Sequence, residues 1–313
     1  MWVEFRQTVL HRLRGQIIGW SVGLAVYSLM MIALFPSVRE LDVSVYLDVF
    51  PEEMMAFFDM LLLLDTPAGY LDTYYFSYMT LILGIFVIGV GARLVVGDEE
   101  RGTLDLILAH PISRTALLSG RALGLAVATA LILAVSWLAW MLPGGQFGMD
   151  LTWIEFLRPF VDLFAQLMVF AALALLLSMA LPAGRLAGMV AGALLVGNYL
   201  LRGVANLDER VEALITYTPM HYYQGGMAVD GLNWRWVGGL LAVALALTLG
   251  AWALFQRREI RVGGEHRWRL PDLVRLFRRD SSPAGEDGLA LEDAHGEPEG
   301  SGVDGDDHQR SPE

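Results

Sequence analysis

The stretch that decides the fold is residues 160–181, which read FVDLFAQLMVFAALALLLSMAL. Asp162 and Gln166 are the two side chains in this run that carry a carboxylate or an amide. The run is long enough to cross a hydrocarbon layer of about 30 Å as a helix. A helix on the surface of a soluble domain would need a polar stripe facing water, and this one has none. The segment therefore predicts a membrane-spanning helix.

Five further stretches have the same character and bring the predicted number of membrane spans to six. The predicted spans cover about 17–35, 74–96, 119–142, 160–181, 186–201 and 236–255. The fifth is the shortest, because its residues at a rise of 1.5 Å each extend only about 24 Å. We therefore expect an all-α polytopic membrane protein, whose transmembrane domain covers residues 1–279.

The composition supports a membrane protein and excludes several kinds of chemistry. Apolar residue types make up 55% of the chain and charged types 18%, against about 25% charged residues in soluble domains. The chain has no cysteine, so disulfides, thiolate metal sites and cysteine nucleophiles are excluded. All 22 basic residues are arginine, so the lysine that a Walker A loop or a Schiff base requires is missing.

Acidic residues are concentrated at the carboxyl-terminal end of the chain. Residues 280–313 contain 11 acids and one arginine, so this tail carries −10 of the net charge of −12. It has no aromatic residue, and its composition is typical of a disordered, solvated segment. The acidic tail and the missing lysine together suggest a high-salt cytoplasm, as in a halophilic archaeon. The alternative is an ordinary acidic tail encoded by a GC-rich genome.

The distribution of arginine predicts the orientation in the membrane. With the amino terminus inside, 16 arginines fall in cytoplasmic segments and five in outer loops. Cytoplasmic loops are the ones enriched in basic residues, so we expect a multi-pass plasma-membrane protein with both termini in the cytoplasm. Before the first span, Trp2, Phe5, Val9 and Leu13 recur at helical spacing. This pattern predicts a helix in the membrane interface, with a solvated leader continuous with the first span as the alternative.

The loop between the second and third spans is the most informative polar segment. Residues 97–114 read GDEERGTLDLILAHPISR. Asp98, Glu99 and Glu100 are acids of the kind that favour a helix N-terminus. Thr103 is an alternative N-cap for a helix that begins later. The segment therefore predicts a short helix outside the membrane.

The same predicted helix has an apolar face. Leu104, Ile107 and Leu108 lie at positions i, i+3 and i+4 and so share one side. Pro111 ends the helix, because its ring disfavours helical geometry in the residue before it. An apolar face in a loop must dock on another surface, which is either the chain's own bundle or a separate protein.

This loop resembles a segment of a known family. Glu99-Glu100, Gly102-Thr103-Leu104 and Pro111-Ile112-Ser113-Arg114 are similar to the EE-x-G-T-L … P-I-S-R pattern of ABC-2 type transporter permeases. The resemblance extends to the six spans, the long first outer loop and the position of this loop after the second span. It covers about residues 1–260.

The resemblance implies a membrane subunit of an ATP-driven transporter, usually an exporter. In that family, two such subunits pair with two separate ATPase subunits, and this loop holds the coupling helix that sits in a groove of the ATPase. The residues expected to couple are Asp98, Glu99, Glu100, Gly102, Thr103, Leu104, Ile107, Leu108, Pro111 and Arg114. ATP and Mg²⁺ would bind to the partner ATPase, so this chain is expected to hold no cofactor or metal and to catalyse nothing itself. The expected partners are the ATPase, a second permease copy and the lipid bilayer, with no nucleic acid.

Polar side chains inside the spans are the candidates for a substrate path. Asp162 and Gln166 lie in the outer half of the fourth span, and Asn198 lies near the outer end of the fifth. Asp162 is also close enough to the interface for its carboxylate to reach water. Gln166 and Asn198 have the alternative of bonding between helices.

Two other classes of protein compete with a transporter. One is a membrane scaffold or sensor without transport activity, which a neighbouring gene for a stand-alone ABC ATPase would argue against. The other is an intramembrane enzyme, but the spans lack paired acids, a histidine cluster and a Gly-x-Ser-x-Gly elbow.

Overall fold

The computed structural model describes residues 1–40, 51, 54, 66–104, 112–207 and 209–257. The chain divides into two units, Met1–Gly264 and Glu265–Glu313. The second unit lies wholly outside the described residues, so the disordered tail at 280–313 stays a prediction. The described part of the first unit is helical and contains no strand.

Six of its helices are long and apolar enough to cross a membrane, as predicted. They are α2 (Arg14–Arg39), α3 (Pro67–Arg93), α5 (Arg114–Phe147), α6 (Trp153–Ala180), α7 (Gly184–Ala205) and α9 (Trp234–Arg257). The described residues also form three short α-helices, α1 (Trp2–Gln7), α4 (Val96–Glu100) and α8 (Glu209–Ile215), and two 3-10 helices in the loop before α9, Pro219–Tyr222 and Gly225–Val229. The all-α polytopic fold is therefore confirmed.

The ends of the spans differ from the predicted ones for local reasons. The second span begins at Pro67, because the Thr66 hydroxyl caps the helix by accepting from the Gly69 N–H at 3.2 Å. A proline in the first turn costs no helical hydrogen bond. The fifth span has 22 residues, which extends it to about 33 Å. It is therefore long enough to cross the membrane without help from its flanks.

The helices α3 and α6 form the centre of the bundle. In their most apolar windows, 61% and 67% of the residues are buried, against 22% in each of α2, α7 and α9. The central helix α6 packs against α3, α5, α7 and α9, and α2 packs against α5. Apolar side chains on the outer helices, such as Ile18, Val26 and Met189, are exposed. They form the surface expected to face lipid tails.

Side-chain contacts define two ends of the bundle. At the amino-terminal end, Arg12 and Arg121 pair with Asp98, which brings together the beginning of the chain, the loop after α3 and the beginning of α5. At the opposite end, called here the far end, Asp72 and Asp162 contact the loop between α8 and α9. The two candidate sites therefore lie at opposite ends of the spans.

The amino-terminal segment is helical as predicted, but its buried side chains include polar ones. Helix α1 is followed by a π-helical turn at Thr8–Arg12, and the buried side chains of the segment are Glu4, Thr8 and Leu13. Trp2 remains 69% exposed. Polar Glu4 turns inward because α5 offers it an arginine, and this leaves Trp2 free for the membrane interface.

Candidate functional site

The loop after α3 begins with a short helix, and the continuation that was predicted as far as Pro111 lies mostly outside the described residues. Helix α4 covers Val96–Glu100, with Asp98 and Glu99 in its first turn, as predicted, and Glu100 as its last residue. Gly102 has a φ of 69°, which ends the helix in a left-handed conformation that glycine adopts without strain. The Thr103 N–H and hydroxyl both donate to the Asp98 carbonyl, at 2.9 and 3.2 Å. Among the described residues, Thr103 thus closes α4.

Asp98 belongs to an ion-pair network made of Glu4, Arg12, Asp98 and Arg121, in which only Arg12 is exposed. Asp98 Oδ2 lies 2.6 Å from Arg121 Nη1, and Asp98 Oδ1 accepts from Arg12. Arg121 Nε also donates to Glu4 Oε2 at 3.3 Å. Arg121, Asp98 and Glu4 are each at most 4% exposed. The network contains two acids and two arginines, so its charges balance, as buried charges must.

Two glycines of α5 allow the amino-terminal helix to approach this network. A Cβ on Gly120 would lie 2.7 Å from the Met1 carbonyl oxygen, and one on Gly124 would lie 2.9 Å from the Thr8 Cβ. Any larger residue would push the amino-terminal segment away from α5. Arg121, which lies between these glycines, therefore reaches Glu4 directly.

Glu100 connects the same loop to α7. Its side chain is exposed, yet Glu100 Oε1 accepts from the Gly184 N–H at 2.9 Å. Gly184 is the first residue of α7, so the carboxylate satisfies one of the free N–H groups at a helix N-terminus. A Cβ on Gly184 would lie 2.9 Å from the Ala92 carbonyl oxygen. The close approach of α7 to α3 brings the two groups within reach.

Arg114 connects the other side of the loop to α9. Arg114 Nη1 donates to the Phe255 carbonyl at 2.9 Å, and the guanidinium lies 5.5 Å from the centre of the Phe255 ring. A cation near the last carbonyls of a helix is favourable. The neighbouring Ser113 caps α5, because its hydroxyl oxygen accepts from the Ala116 N–H at 3.2 Å. Of the last two residues of the motif, Ser113 therefore caps α5 and Arg114 joins the start of α5 to the end of α9.

The apolar face predicted for the loop is only partly described. Leu104 is 2% exposed and belongs to the main core of the bundle, so its side chain packs within this chain. Ile107, Leu108 and Pro111 lie outside the described residues. Glu99 is half-buried, whereas Glu100 and Gly102 are exposed. Of the motif residues described, the exposed ones are those available to a partner.

At the far end, Asp162 binds a loop of the protein itself. The carboxylate is fully buried, and Asp162 Oδ2 accepts from the Gln224 N–H at 2.7 Å and the Gly225 N–H at 3.1 Å. Asp162 Oδ1 has no hydrogen-bond partner among the described residues. The alternative of a carboxylate reaching out to water is therefore wrong. The substrate-path role stays a prediction.

Gln166 and Asn198 lie near the same loop on different helices. Gln166 is fully buried, and its Nε2 donates to the Met220 sulfur at 3.2 Å, whereas its Oε1 has no partner among the described residues. Asn198 Oδ1 is also buried and unpaired within the described part of the chain. Gln166 lies one turn from Asp162 on α6, and Asn198 lies one turn from Arg202 on α7.

The sequence analysis missed the second acid that holds this loop. Asp72, 4% exposed in the first turns of α3, accepts from the Gly226 N–H at 2.7 Å. A Cβ on Gly226 would lie 2.3 Å from the Asp72 nitrogen, so only glycine fits. Gly225 has a φ of 58°. The Gly-Gly pair after Gln224 was the available signal, because adjacent glycines mark a close backbone approach.

Three further side chains fasten this loop. The Tyr223 hydroxyl donates to the Phe76 carbonyl at 3.0 Å. Arg202 donates to the Tyr223 carbonyl at 3.2 Å, and Arg158 to the Val229 carbonyl at 2.9 Å. Burial, with the nearby charges of Asp162 and Asp72, raises the pKa of Tyr223 well above its ordinary value of 10.0. Tyr223 is therefore a neutral donor.

The described residues offer no metal centre. Within these ranges, no group of three His, Cys, Asp or Glu side chains comes together at a distance that could hold an ion.

The sequence that forms these two ends was compared with models of known protein families. A family model described as ABC-2 family transporter protein matches residues 17–260. This range includes α2 from Ile17 onward, the other five spans, the loop after α3 and the loop held by the two buried acids. A search of curated proteins found no matching relative.

Proposed function

The chain belongs to the ABC-2 transporter family, and from that premise we propose that it is the permease subunit of an exporter driven by a separate ATPase. It is a membrane transporter subunit, not an enzyme. ATP and Mg²⁺ would bind to the partner, since this chain has no lysine for a Walker A loop. A second permease copy would complete the transporter.

The observation that carries this proposal is the set of contacts made by the loop after α3. Asp98 pairs with Arg121 of α5, Glu100 with the start of α7, and Arg114 with the end of α9. Arg12 adds the amino-terminal segment. A partner that displaced this loop would therefore pull on four parts of the bundle together. Such connections are what a coupling element requires.

The surface for the ATPase would be formed by the exposed part of the loop. Glu100, Arg101 and Gly102 are exposed, and Ile107 and Leu108 would continue the surface. Asp98 and Leu104 are buried in the chain, so they would act by positioning the loop. The presence of Asp98 and Leu104 in the loop would then be explained by their packing within this chain and not by contact with the ATPase.

The arginine distribution supports placing this loop in the cytoplasm. The residues that pair at the amino-terminal end include Arg12, Arg114 and Arg121. Sixteen arginines lie in segments assigned to this side and five on the other, as expected for a cytoplasmic face. The far end, with its two buried acids, would face outside, where an exported substrate leaves.

One experiment tests both the partner and the orientation. The chain has no cysteine, so Arg101→Cys and Gly231→Cys each introduce a unique thiol at an exposed position, one at each end. In cells that also contain the ATPase, the thiol at position 101 should cross-link to the ATPase and resist a membrane-impermeant maleimide. The thiol at 231 should do the reverse. Labelling of 101 from outside would overturn the orientation, and absence of cross-linking at 101 would overturn the coupling assignment.

A second experiment separates docking from folding. Leu104→Asp buries an unpaired charge in the core, at a cost of several kcal/mol, and should prevent stable insertion. Ile107→Asp should leave insertion intact but abolish ATPase co-purification and transport. If Ile107→Asp instead misfolds, the loop's apolar face docks on the bundle. If it keeps full ATPase binding and transport, the loop is not the coupling helix.

A further inference from the structure

Two buried side-chain oxygen atoms at the far end accept no hydrogen bond from any described residue. Asp162 Oδ1 and Gln166 Oε1 are both unpaired among the described residues, and both side chains are fully buried. The remaining atoms of each side chain are already used, in bonds to Gln224, Gly225 and Met220. A buried acceptor without a donor carries a desolvation penalty, so this pair requires an explanation.

The two residues are placed to share a single donor. They lie four positions apart on α6, and side chains at i and i+4 of a helix are neighbours. A carboxylate and an amide oxygen cannot bond to each other, because both are acceptors. A carboxylic acid changes this, since its hydroxyl donates. One proton on Asp162 Oδ1 would satisfy both atoms.

Burial also favours a bound proton on Asp162, because a fully buried carboxylate has lost its hydration. The charged groups acting on its carboxyl are Asp72 of α3 and Arg202 of α7, and Tyr223 of the loop is neutral. Arg158, one turn away on α6, donates to the Val229 carbonyl. Asp72 and Arg202 carry opposite charges, so an ionised Asp162 would add a second buried negative charge, which is costly.

We infer that Asp162 and Gln166 form a proton-binding site beneath the loop residues Gln224–Gly226. The proton resides on Asp162 Oδ1 and is donated to Gln166 Oε1, while Oδ2 keeps the Gln224 and Gly225 N–H groups. Loss of the proton removes the donor and leaves two acceptors facing each other. The contribution of this bond to stability is therefore present at low pH and lost as the pH rises. The loop is then held less firmly at alkaline pH.

The test is infrared spectroscopy of the full chain in lipid nanodiscs. The wild type at neutral pH should show the carbonyl band of a protonated carboxylic acid. Asp162→Asn should remove the band, and the matched variant Asp72→Asn should retain it. Gln166→Leu should shift the band, because the acid loses its acceptor. Absence of the band in the wild type, its survival in Asp162→Asn, or its loss in Asp72→Asn alone would each overturn the inference.

The pH dependence of thermal unfolding gives an independent test, and this test remains possible if one of the variants does not fold. The wild-type Tm should fall on going from mildly acidic to alkaline pH by more than the Tm of Asp162→Asn. The reason is that the asparagine amide donates to Gln166 at every pH, while its oxygen still accepts from the loop. If Asp162→Asn does not fold, Gln166→Leu should show the reduced pH dependence. Identical pH dependence in the wild type and the variant that folds would overturn the inference.

Discussion

Both ends of the bundle bury two carboxylates, but they satisfy them differently. At the amino-terminal end, Asp98 and Glu4 pair with the guanidinium of Arg121. At the far end, Asp162 and Asp72 accept from three consecutive backbone N–H groups, those of Gln224, Gly225 and Gly226. The first arrangement depends on the identity of side chains, and the second on how closely the backbone can approach.

The difference indicates what each end can do. An ion pair between helices transmits a displacement in any direction, because both partners belong to rigid elements. A carboxylate that holds backbone N–H groups releases a whole loop when those bonds break. This contrast agrees with the proposed role of the amino-terminal end in coupling.

Loss of Arg121 should be the most damaging single change. Arg121→Met leaves Asp98 and Glu4 buried without their shared partner, and removing one side of a buried ion pair costs about 3–5 kcal/mol. We expect little monodisperse protein in detergent chromatography and a strongly lowered Tm. The matched control is Arg93→Met, which removes an exposed arginine at the same end. Equal stability of the two variants would show that the network is not needed for folding.

The far end should be most sensitive at Gly226. Gly226→Ala places a Cβ within 2.3 Å of the Asp72 nitrogen, which belongs to helical backbone and cannot rotate away. Overpacking of this kind costs about 1–3 kcal/mol, measurable as a lower Tm. Gly231→Ala in the same loop meets nothing within 4 Å and should behave as the wild type. A neutral Gly226→Ala would mean that the loop is not docked on Asp72.

A smaller effect is expected from the hydroxyl of Tyr223. Tyr223→Phe removes the bond to the Phe76 carbonyl but keeps the ring, at a cost of about 1 kcal/mol. Tyr222→Phe, whose ring packs on Trp236 at 5.9 Å between centroids, serves as the control. Because the pKa of Tyr223 is raised, the difference in Tm between wild type and Tyr223→Phe should be the same at neutral and mildly alkaline pH. A difference that disappears on mild alkalinisation would mean that the hydroxyl ionises.

The spans could be predicted from sequence because hydropathy is a local property. A run such as 160–181 specifies a membrane helix without reference to any other part of the chain. The helix ends were less certain, since they depend on caps such as Thr66 and Ser113 that lie outside the apolar runs. The family pattern in the loop after α3 could also be recognised from the sequence, because its residues lie close together along the chain. The family match over residues 17–260 confirmed the resemblance.

The roles of the site residues could not be predicted, because their partners are distant in sequence. Arg121 and Glu4 are separated by 117 positions, and Asp72 and Gly226 by 154. Asp162 attracted notice as an acid in an apolar run, which is costly and therefore informative. Asp72 did not, because it lies near a predicted helix end, where acids are common. Only the folded backbone brings the two acids to one loop.

The smallest effect is expected at Glu100, and it tests whether the amino-terminal end couples through a contact with a partner. Glu100→Gln keeps an oxygen that can accept from the Gly184 N–H but removes the negative charge at the start of α7. The loss of stability should be about 0.3–1 kcal/mol and should diminish in high salt, since the effect of a charge on a helix terminus is screened. Asp150→Asn, which neutralises an exposed acid at the far end, controls for the change of net charge. If ATP-driven transport falls by no more than this stability loss explains, Glu100 acts only on α7. A much larger fall in transport, with expression and Tm nearly unchanged, would mean that the Glu100 carboxylate contacts the ATPase directly.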